Sequence, residues 1–294
     1  MDNHNTAIAL GNFDGVHIAH KKIIENAVVC AEKSGLKSLA YMFETHPQFV
    51  LGDKNFKTIT DNTRKSEIIK GLGADTIYYE KTTADILSMT PENFARDILS
   101  CRFGAKYVSV GYNYRFGKGG EGDAKALEKL GRKYGFEVII TDRITKDGQD
   151  ISSSLLRKYI ANGEVDAANN LMCKPYAVCG VVSGGKHLGT SWGIATANVE
   201  IPDMLLTPKR GVYLTKTLID GKQYKSVTNI GTNPTVEHAK PRSETHIIDF
   251  NGDLYGKYIE ITFCEMIRPE IKFDSVDGLI CQIRKDIEYV KKTI

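Results

Sequence analysis

The first half of the chain alternates short apolar runs with longer segments whose apolar residues recur at helical spacing. The apolar runs predict strands at residues 6–10, 36–43, 76–79, 106–110 and 136–140. The segments between them predict helices at residues 18–34, 61–71, 91–101 and 123–134, and Thr90 followed by Pro91 is a typical helix start. Strands joined by helices of this length form a parallel sheet through crossover connections. The pattern therefore predicts an α/β domain that binds ligands beyond the carboxyl ends of its strands.

The second half has a different pattern. Two short helices are predicted at residues 152–161 and 164–172, and β-rich segments with Gly and Pro turns follow at 176–182, 212–219, 224–230, 246–250 and 258–263. Several short strands without helices between them predict a barrel or sandwich. A last helix carries an apolar stripe that is predicted to face the core: Val276, Leu279, Ile280, Ile283, Ile287 and Val290. The predicted domains are residues 1–172 and 173–294.

Composition narrows the class of protein. A chain of 294 residues fits two domains of roughly 100–200 residues each. The 39 basic residues nearly balance the 36 acidic ones, which argues against a dedicated nucleic-acid binder. We see no secretory signal and no membrane-spanning apolar stretch. None of the six cysteines forms a C-x-x-C pair, so we expect reduced thiols and a cytoplasmic location.

Candidate chemistry begins at the end of the first predicted strand, in residues 11–20 (GNFDGVHIAH). Gly11 and Gly15 allow a close backbone approach that a side chain would block. His17 and His20 are three residues apart at the start of a helix, so they share one face. The free N–H groups of a helix start suit a phosphate, and two imidazoles there can stabilise the charge of a nucleotidyl transfer.

This segment resembles the G-x-F-D-G-x-H-x-G-H signature of prokaryotic bifunctional riboflavin kinase/FAD synthetases, within the H-x-G-H nucleotidyltransferase superfamily, with Ala19 replacing the last Gly. Residues 43–47 (FETHP), 110–118 (VGYNYRFGK) and 151–157 (ISSSLLR) resemble three further family segments in the same order, with Thr45 and Ser154 as departures.

The resemblance implies a Rossmann-like nucleotidyltransferase domain that converts FMN and ATP into FAD and pyrophosphate, with Mg²⁺ bridging phosphates. The catalytic residues it implies are His17, His20 and Arg157. The ATP-binding residues are Gly11, Phe13, Asp14, Gly15, His17, His20, Ser153, Ser154 and Arg157. The flavin-binding residues are His46, Asn113 and Arg115.

In the second half, residues 189–198 (GTSWGIATAN) resemble the G-R-x-L-G-[FY]-P-T-A-N signature of riboflavin kinase in the same family. The order of matches continues at residues 211–213, 229–235, 244–246, 254–256 and 268. The chain has no P-loop signature. The resemblance implies a small β-barrel kinase domain with a C-terminal helix. In it, Thr196 and Asn198 hold Mg²⁺ with ATP phosphates, and Glu244 is the base for the ribityl 5′-hydroxyl of riboflavin.

Two departures leave alternatives open. Thr190 replaces an Arg and Ala195 replaces a Pro, which removes a phosphate partner and a fixed φ beside the metal-binding pair. The main prediction is a bifunctional enzyme that uses riboflavin, FMN and ATP. One alternative keeps only the adenylyltransferase and has a degenerate kinase domain. Another is a flavin-sensing, RNA-binding module without turnover. Homo-oligomerisation stays open.

Overall fold

The computed structural model describes residues 5–184, 194–231 and 241–293. The chain divides into two units, one ending at Ser153 and the other beginning at Ser154. The predicted boundary at 172/173 stays a prediction. The motif segments at 189–193 and 232–235, which include Thr190, lie outside the described residues.

The first unit is built on a five-stranded parallel sheet, and every strand predicted in this half is confirmed. Its strands are β1 (Thr6–Leu10), β2 (Lys37–Phe43), β3 (Thr76–Glu80), β4 (Ala105–Gly111) and β7 (Glu137–Thr141). Their order across the sheet is β3-β2-β1-β4-β7, so the chain leaves β1 toward one side and later returns to its other side with β4. The crevice between the carboxyl ends of β1 and β4 is the topological switch point, where open α/β sheets bind ligands.

Helices cover the sheet and two short hairpins extend from it. The helices are α1 (Ile18–Ser34), α2 (Pro47–Val50), α3 (Asn62–Gly71), α4 (Ala84–Ser88), α5 (Pro91–Asn93) and α6 (Ala124–Tyr134). The hairpins pair β5 (Arg115–Phe116) with β6 (Gly122–Asp123) and β8 (Thr145–Lys146) with β9 (Gln149–Asp150). The predicted helix at 91–101 starts at Thr90, which accepts the Asn93 amide, but it continues as a π-helix over Phe94–Arg102.

The core of the first unit explains why these segments fold as they do. Apolar residues of β1 and β4 pack against the π-helix and α6, with Ile8, Val108, Phe94, Leu99 and Leu127 all buried. Helices cover both faces of a central strand in a parallel sheet, so its residues are apolar on both faces and form a continuous apolar run. The polar loops that follow the strands lie outside this apolar core and are available to form the site.

The second unit contains two helices, the first of which starts at the last residue of the first unit, and continues as an antiparallel sheet. Its elements are α7 (Ser153–Asn162), α8 (Val165–Asn169), β10 (Ala177–Val181), β11 (Ala197–Glu200), β12 (Gly211–Ile219), β13 (Lys222–Gly231), β14 (Arg242–Ile247), β15 (Tyr258–Pro269) and α9 (Val276–Thr293). The strand order is β10-β15-β12-β13-β14-β11. A bridge between Ser183 and Asn198 links the two ends, so the sheet forms a nearly closed barrel.

The last helix packs on the barrel through part of the predicted stripe. Ile287 and Val290 are buried against Val212 and Leu214, whereas Val276 at the other end is 56% exposed. The prediction that the whole stripe faces the core is therefore wrong for its first turn, because the helix extends beyond the barrel there. One strand prediction is also displaced: the strand predicted at 246–250 occupies Arg242–Ile247. Its buried residues Ser243 and Thr245 are polar, so the segment shows no apolar alternation that would predict a strand.

A buried ion pair also fastens this helix. The Arg268 guanidinium on β15 donates to both carboxylate oxygens of Asp286 on α9, the shortest contact being 2.8 Å from Nη2 to Oδ2. Gln282 donates to the same carboxylate at 2.9 Å. Asp286 is 3% exposed, so its charge depends on these donors for stability.

Candidate functional site

The loop that follows β1 has an unusual backbone. Phe13 and Val16 adopt left-handed φ values of 47° and 31°, and Gly15 lies between them at 76°. Such values are costly for residues with a Cβ, above all for a β-branched one, and persist where the surroundings impose them. A Cβ on Gly11 would lie 2.8 Å from the Phe13 ring. The tight turn leads the chain directly from β1 into α1.

His17 and His20 form a stacked pair at that helix start. His17 is the N-cap of α1, and its Nδ1 accepts the His20 amide at 3.3 Å. The two rings lie 3.5 Å apart and 17° from parallel, and the Phe13 ring packs edge-on against His20. The structure therefore brings together the two imidazoles that the spacing predicts on one face.

Burial determines the protonation state of His17. Its side chain is 4% exposed, and desolvation lowers its pKa to about 4. The ring is neutral at pH 7, and because Nδ1 accepts a hydrogen bond, the proton lies on Nε2. His17 thus offers an N–H donor without a positive charge, whereas the half-buried ring of His20 lies over it.

Asp14 is turned into the protein. Its carboxylate is 2% exposed and accepts the amides of Ile59 and Thr60 at 2.9–3.2 Å. Ser153, at the start of α7, donates its hydroxyl to the Asp14 carbonyl at 2.8 Å. Both predicted ATP-binding residues therefore hold the loop in place through contacts within the first unit. Their contact with ATP stays a prediction.

Lys65 is a buried charge that the sequence reasoning missed. It is 5% exposed, and its ammonium donates to Asn62 Oδ1 at 3.3 Å. Desolvation lowers its pKa, while the charges of Asp14 and Asp61 act in the opposite direction. Its spacing could have revealed it, because it lies three and four residues before Ile68 and Ile69 on the buried face of α3.

The predicted flavin residues lie on the loops that follow β2 and β4. His46 caps α2, hydrogen-bonds Asn12 at 3.2 Å and stacks on Phe56 at 4.1 Å between ring centroids. Asn113 and Arg115 are exposed in the loop and hairpin after β4. Because carboxyl ends of parallel strands meet at one edge, all three lie at the edge where the histidine pair is found. Asn12 and Phe56 are partners that the sequence reasoning did not identify.

The remaining predicted residues of this group belong to α7 in the second unit. Ser154 is exposed and Arg157 is half-buried one turn after Ser153. Their roles stay predictions.

A second polar group lies on the barrel, across three neighbouring strands. Asn198 on β11 pairs directly with Glu244 on β14, and Glu244 pairs directly with Asn229 on β13. Directly paired residues of antiparallel strands project from the same face, so the three side chains form one row. Thr196 immediately precedes β11 and is exposed. The structure thus places Thr196, Asn198 and Glu244 together, and Asn229 is the member that the sequence analysis did not assign.

The opposite face of the same sheet carries a buried chain of hydroxyls on β12, β13 and β14. Thr217, Ser226, Thr215, Thr228 and Thr245 are fully buried, and successive oxygens lie 2.7–2.9 Å apart. Thr215 also donates to the Ser226 carbonyl at 3.1 Å. The five hydroxyl groups have one proton each for these five hydrogen bonds, so each group donates once. Because Thr215 donates to the carbonyl, it must accept from both Ser226 and Thr228. A slip of one residue would replace Thr245 with a neighbouring charged or aromatic side chain, so the chain of hydroxyls fixes the register of β14.

The donor set on the barrel suits a hard cation. Thr196, Asn198 and Glu244 supply hydroxyl, amide and carboxylate oxygens. Mg²⁺ is usually bound by one or two such ligands together with substrate phosphates rather than by an acidic cage. In the described parts of the chain, no group of three or more His, Cys, Asp or Glu side chains could hold a metal alone. The hydroxyl, amide and carboxylate oxygens present fit the oxygen ligands that Mg²⁺ prefers.

Comparisons with known proteins match both halves. Residues 1–155 match the family model described as FAD synthetase, and residues 172–294 match the one described as riboflavin kinase. A relative named bifunctional riboflavin kinase/FMN adenylyltransferase from Listeria monocytogenes is 36% identical, covering 96% of this chain and 90% of its own. The chain belongs to this family. The Escherichia coli K12 member is 33% identical over 95% of this chain and 90% of its own.

The fold is also that of a solved structure. A chain described as a macrolide-efflux protein from Streptococcus pneumoniae superposes with a TM-score of 0.89 at 28% identity, covering 99% of this chain and 95% of that one. Within the described ranges, the helices are too short or too polar to cross a bilayer.

The family places two catalytic domains in this chain. It is an enzyme of flavin-cofactor synthesis with a FAD synthetase domain and a riboflavin kinase domain. This confirms the main prediction. The alternatives, a degenerate kinase domain and an RNA-binding module, gain no support.

Proposed function

We propose that the histidine pair carries out adenylyl transfer and that the polar row on the barrel carries out riboflavin phosphorylation. The observation that supports the first assignment is the stacked His17–His20 pair at the start of α1, at the switch point of the sheet. The amides of a helix start and a neutral imidazole N–H are donors suited to the phosphates of ATP.

In the adenylyl transfer, an oxygen of the FMN phosphate attacks the α-phosphorus of ATP. The bond from that phosphorus to the β-phosphate bridging oxygen breaks, and pyrophosphate leaves. His17 donates from Nε2 to the reacting phosphate. The His20 ring stacks on the His17 ring and helps to hold it in place. Arg157 is assigned to phosphate binding because its planar group pairs with two oxygens. His46, Asn113 and Arg115 are assigned to FMN.

In the phosphorylation, the 5′-hydroxyl of riboflavin attacks the γ-phosphorus of ATP, and ADP leaves. Glu244 accepts the hydroxyl proton, and strand pairing with Asn198 and Asn229 on its two sides places it in the middle of the row. Thr196 and Asn198 would hold Mg²⁺. When bound, Mg²⁺ would neutralise charge on the phosphates.

Two substitutions test the two assignments within one chain. The full-length protein is supplied with ATP and Mg²⁺, plus either riboflavin or FMN, and products are separated by chromatography. His20→Ala should stop FAD formation from FMN and leave FMN formation from riboflavin intact. Glu244→Gln should do the reverse. Lys22→Ala and Glu200→Gln, at exposed positions of α1 and β11, are the matched controls. If either variant lowers both reactions equally, the assignment to separate sites is wrong.

The remaining predictions concern the class of substrate, the cellular location, the oligomeric state and the domain boundary, and they are part of this proposal. The near balance of charge supports small-molecule substrates rather than nucleic acid. The six cysteines form no disulfide with one another, and we propose that the protein resides in the reducing cytoplasm. Sedimentation at increasing concentration tests homo-oligomerisation. The predicted domain boundary at 172/173 stays a prediction, and the riboflavin kinase match starts at residue 172.

A further inference from the structure

His246 makes a contact that none of the assigned roles uses. It lies on β14 two residues after Glu244, so the two side chains project from the same face of the barrel. Its Nδ1 lies 2.9 Å from the carbonyl oxygen of Ala195. Because a carbonyl oxygen only accepts, Nδ1 must carry the proton in this hydrogen bond.

That carbonyl belongs to the peptide bond that leads into Thr196. The ladder between β11 and β14 begins only at Ala197, which pairs with Thr245. Among the described residues, the bond from His246 is the hydrogen bond that holds residues 195 and 196. Ala195 and Thr196 are both exposed, so packing of their own side chains does not restrain them beyond the buried Ile194, and an alanine lacks the ring that fixes φ in a proline.

The two oxygen ligands proposed for Mg²⁺ are therefore held in different ways. Asn198 is fixed by strand pairing with Glu244. Thr196 lies outside the ladder and depends on the peptide that His246 holds. One strand, β14, thus presents the proposed base and holds the segment that carries the proposed metal ligand.

We propose that His246 is a positioning residue of the riboflavin kinase site: through the Ala195 carbonyl it fixes Thr196 beside Asn198 and Glu244. This inference rests on the proposed function of that site. His246 acts through the backbone of Thr196 and does not itself contact the substrates.

Nitrogen NMR of the ring tests the contact without any ligand. In ¹⁵N-histidine-labelled full-length protein at pH 8, the His246 signals are identified by their loss in His246→Phe. We expect the Nδ1-protonated form of the neutral ring, which is the less common tautomer in water. Finding the proton on Nε2 would overturn the proposal.

Kinetics test the role. His246→Phe keeps an aromatic ring and removes the donor, whereas His246→Asn keeps an N–H close to the position of Nδ1. In riboflavin phosphorylation we expect His246→Phe to raise the KM for ATP–Mg²⁺ about tenfold, with kcat changed less than about twofold, and His246→Asn to stay within about threefold of the parent chain. A tenfold change corresponds to about 1.4 kcal/mol, the size of one good hydrogen bond.

A second variant tests whether the lost affinity comes from a loosened backbone at residue 195. Ala195→Pro fixes φ by a covalent ring, so in the His246→Phe background it should restore at least half of the lost affinity for ATP–Mg²⁺. Urea unfolding of the same samples, followed through the barrel, reports whether the substituted domain is folded, and adenylylation of FMN reports the first unit.

The outcomes separate this inference from the function on which it rests. An unchanged KM in His246→Phe, with Glu244→Gln inactive as a kinase, overturns only the role of His246. Equal damage by His246→Asn and His246→Phe also overturns it. If Glu244→Gln keeps full kinase activity, the proposed site itself is wrong.

Discussion

The depressed pKa of His17 predicts how the stability of the first unit changes with pH. The folded chain holds this imidazole neutral down to about pH 4, whereas an unfolded chain protonates it near pH 6.5. Between these values the unfolded state binds a proton that the folded state does not. The free energy of unfolding therefore falls as the pH falls, and the stability is fully present only above about pH 6.5.

The size of the effect follows from the pKa difference. A shift of about 2.5 units at 1.36 kcal/mol per unit gives about 3 kcal/mol of stability lost between pH 6.5 and 4. His17→Asn removes the titrating ring but keeps an N-cap acceptor for the His20 amide, so it should cost less than about 1 kcal/mol at pH 7.

Hydrogen exchange read by mass spectrometry measures this locally. Peptides that cover β1 and α1 give the opening free energy of this region at several pH values between 4 and 7. We expect the parent chain to lose about 3 kcal/mol more than His17→Asn across that range. The subtraction removes the carboxylates, which both chains share. Parallel pH profiles for the two chains would refute the buried, neutral imidazole.

Three further predictions concern packing and the buried polar groups. Asp286→Ala leaves Arg268, whose side chain is 17% exposed, without its carboxylate, and should cost about 3 kcal/mol of unfolding free energy in urea titrations. Thr215→Val leaves two buried hydroxyl donors without acceptors and should cost about 3 kcal/mol of unfolding free energy. Thr217→Val, at the end of the series of hydroxyls, should cost about 1 kcal/mol. Equal losses would contradict the inferred directions of the hydrogen bonds. Gly11→Ala should cost about 1–3 kcal/mol and reduce FAD formation while FMN formation persists, because its Cβ would contact an aromatic ring at 2.8 Å.

The sequence predicted the elements that carry the histidine pair, but it could not predict what Asp14 does. Adjacent motif residues all looked like nucleotide ligands, and only the fold shows that this carboxylate accepts amides 45 and 46 residues away. A carboxylate that binds phosphate through a metal and one that anchors a loop are identical in sequence. Burial and partners distinguish them, and both are long-range properties.

The departures at Ala195 and Thr190 show the same limit in the barrel. Ala195 replaces a proline, and the sequence therefore predicted a less restrained metal-binding segment, because proline is the only restraint on φ that the local sequence shows. The structure adds a restraint from His246, 51 residues further along the chain. Position 190 lies outside the described residues, so the predicted loss of a phosphate partner there stays a prediction.

The sequence alone predicted the local features of the protein. These are the alternation of strands and helices, the glycine-rich turn, two imidazoles on one helical face, and the order of the family's motifs. These depend on spacings of a few residues, which chain geometry fixes. The tertiary structure decided which strands are neighbours, and thereby which polar groups are buried, which are paired and how they are protonated. Asn198, Glu244 and Asn229 form a row only because β11, β14 and β13 pair in that register. Strand pairing joins residues far apart in sequence, and no periodicity encodes the partner.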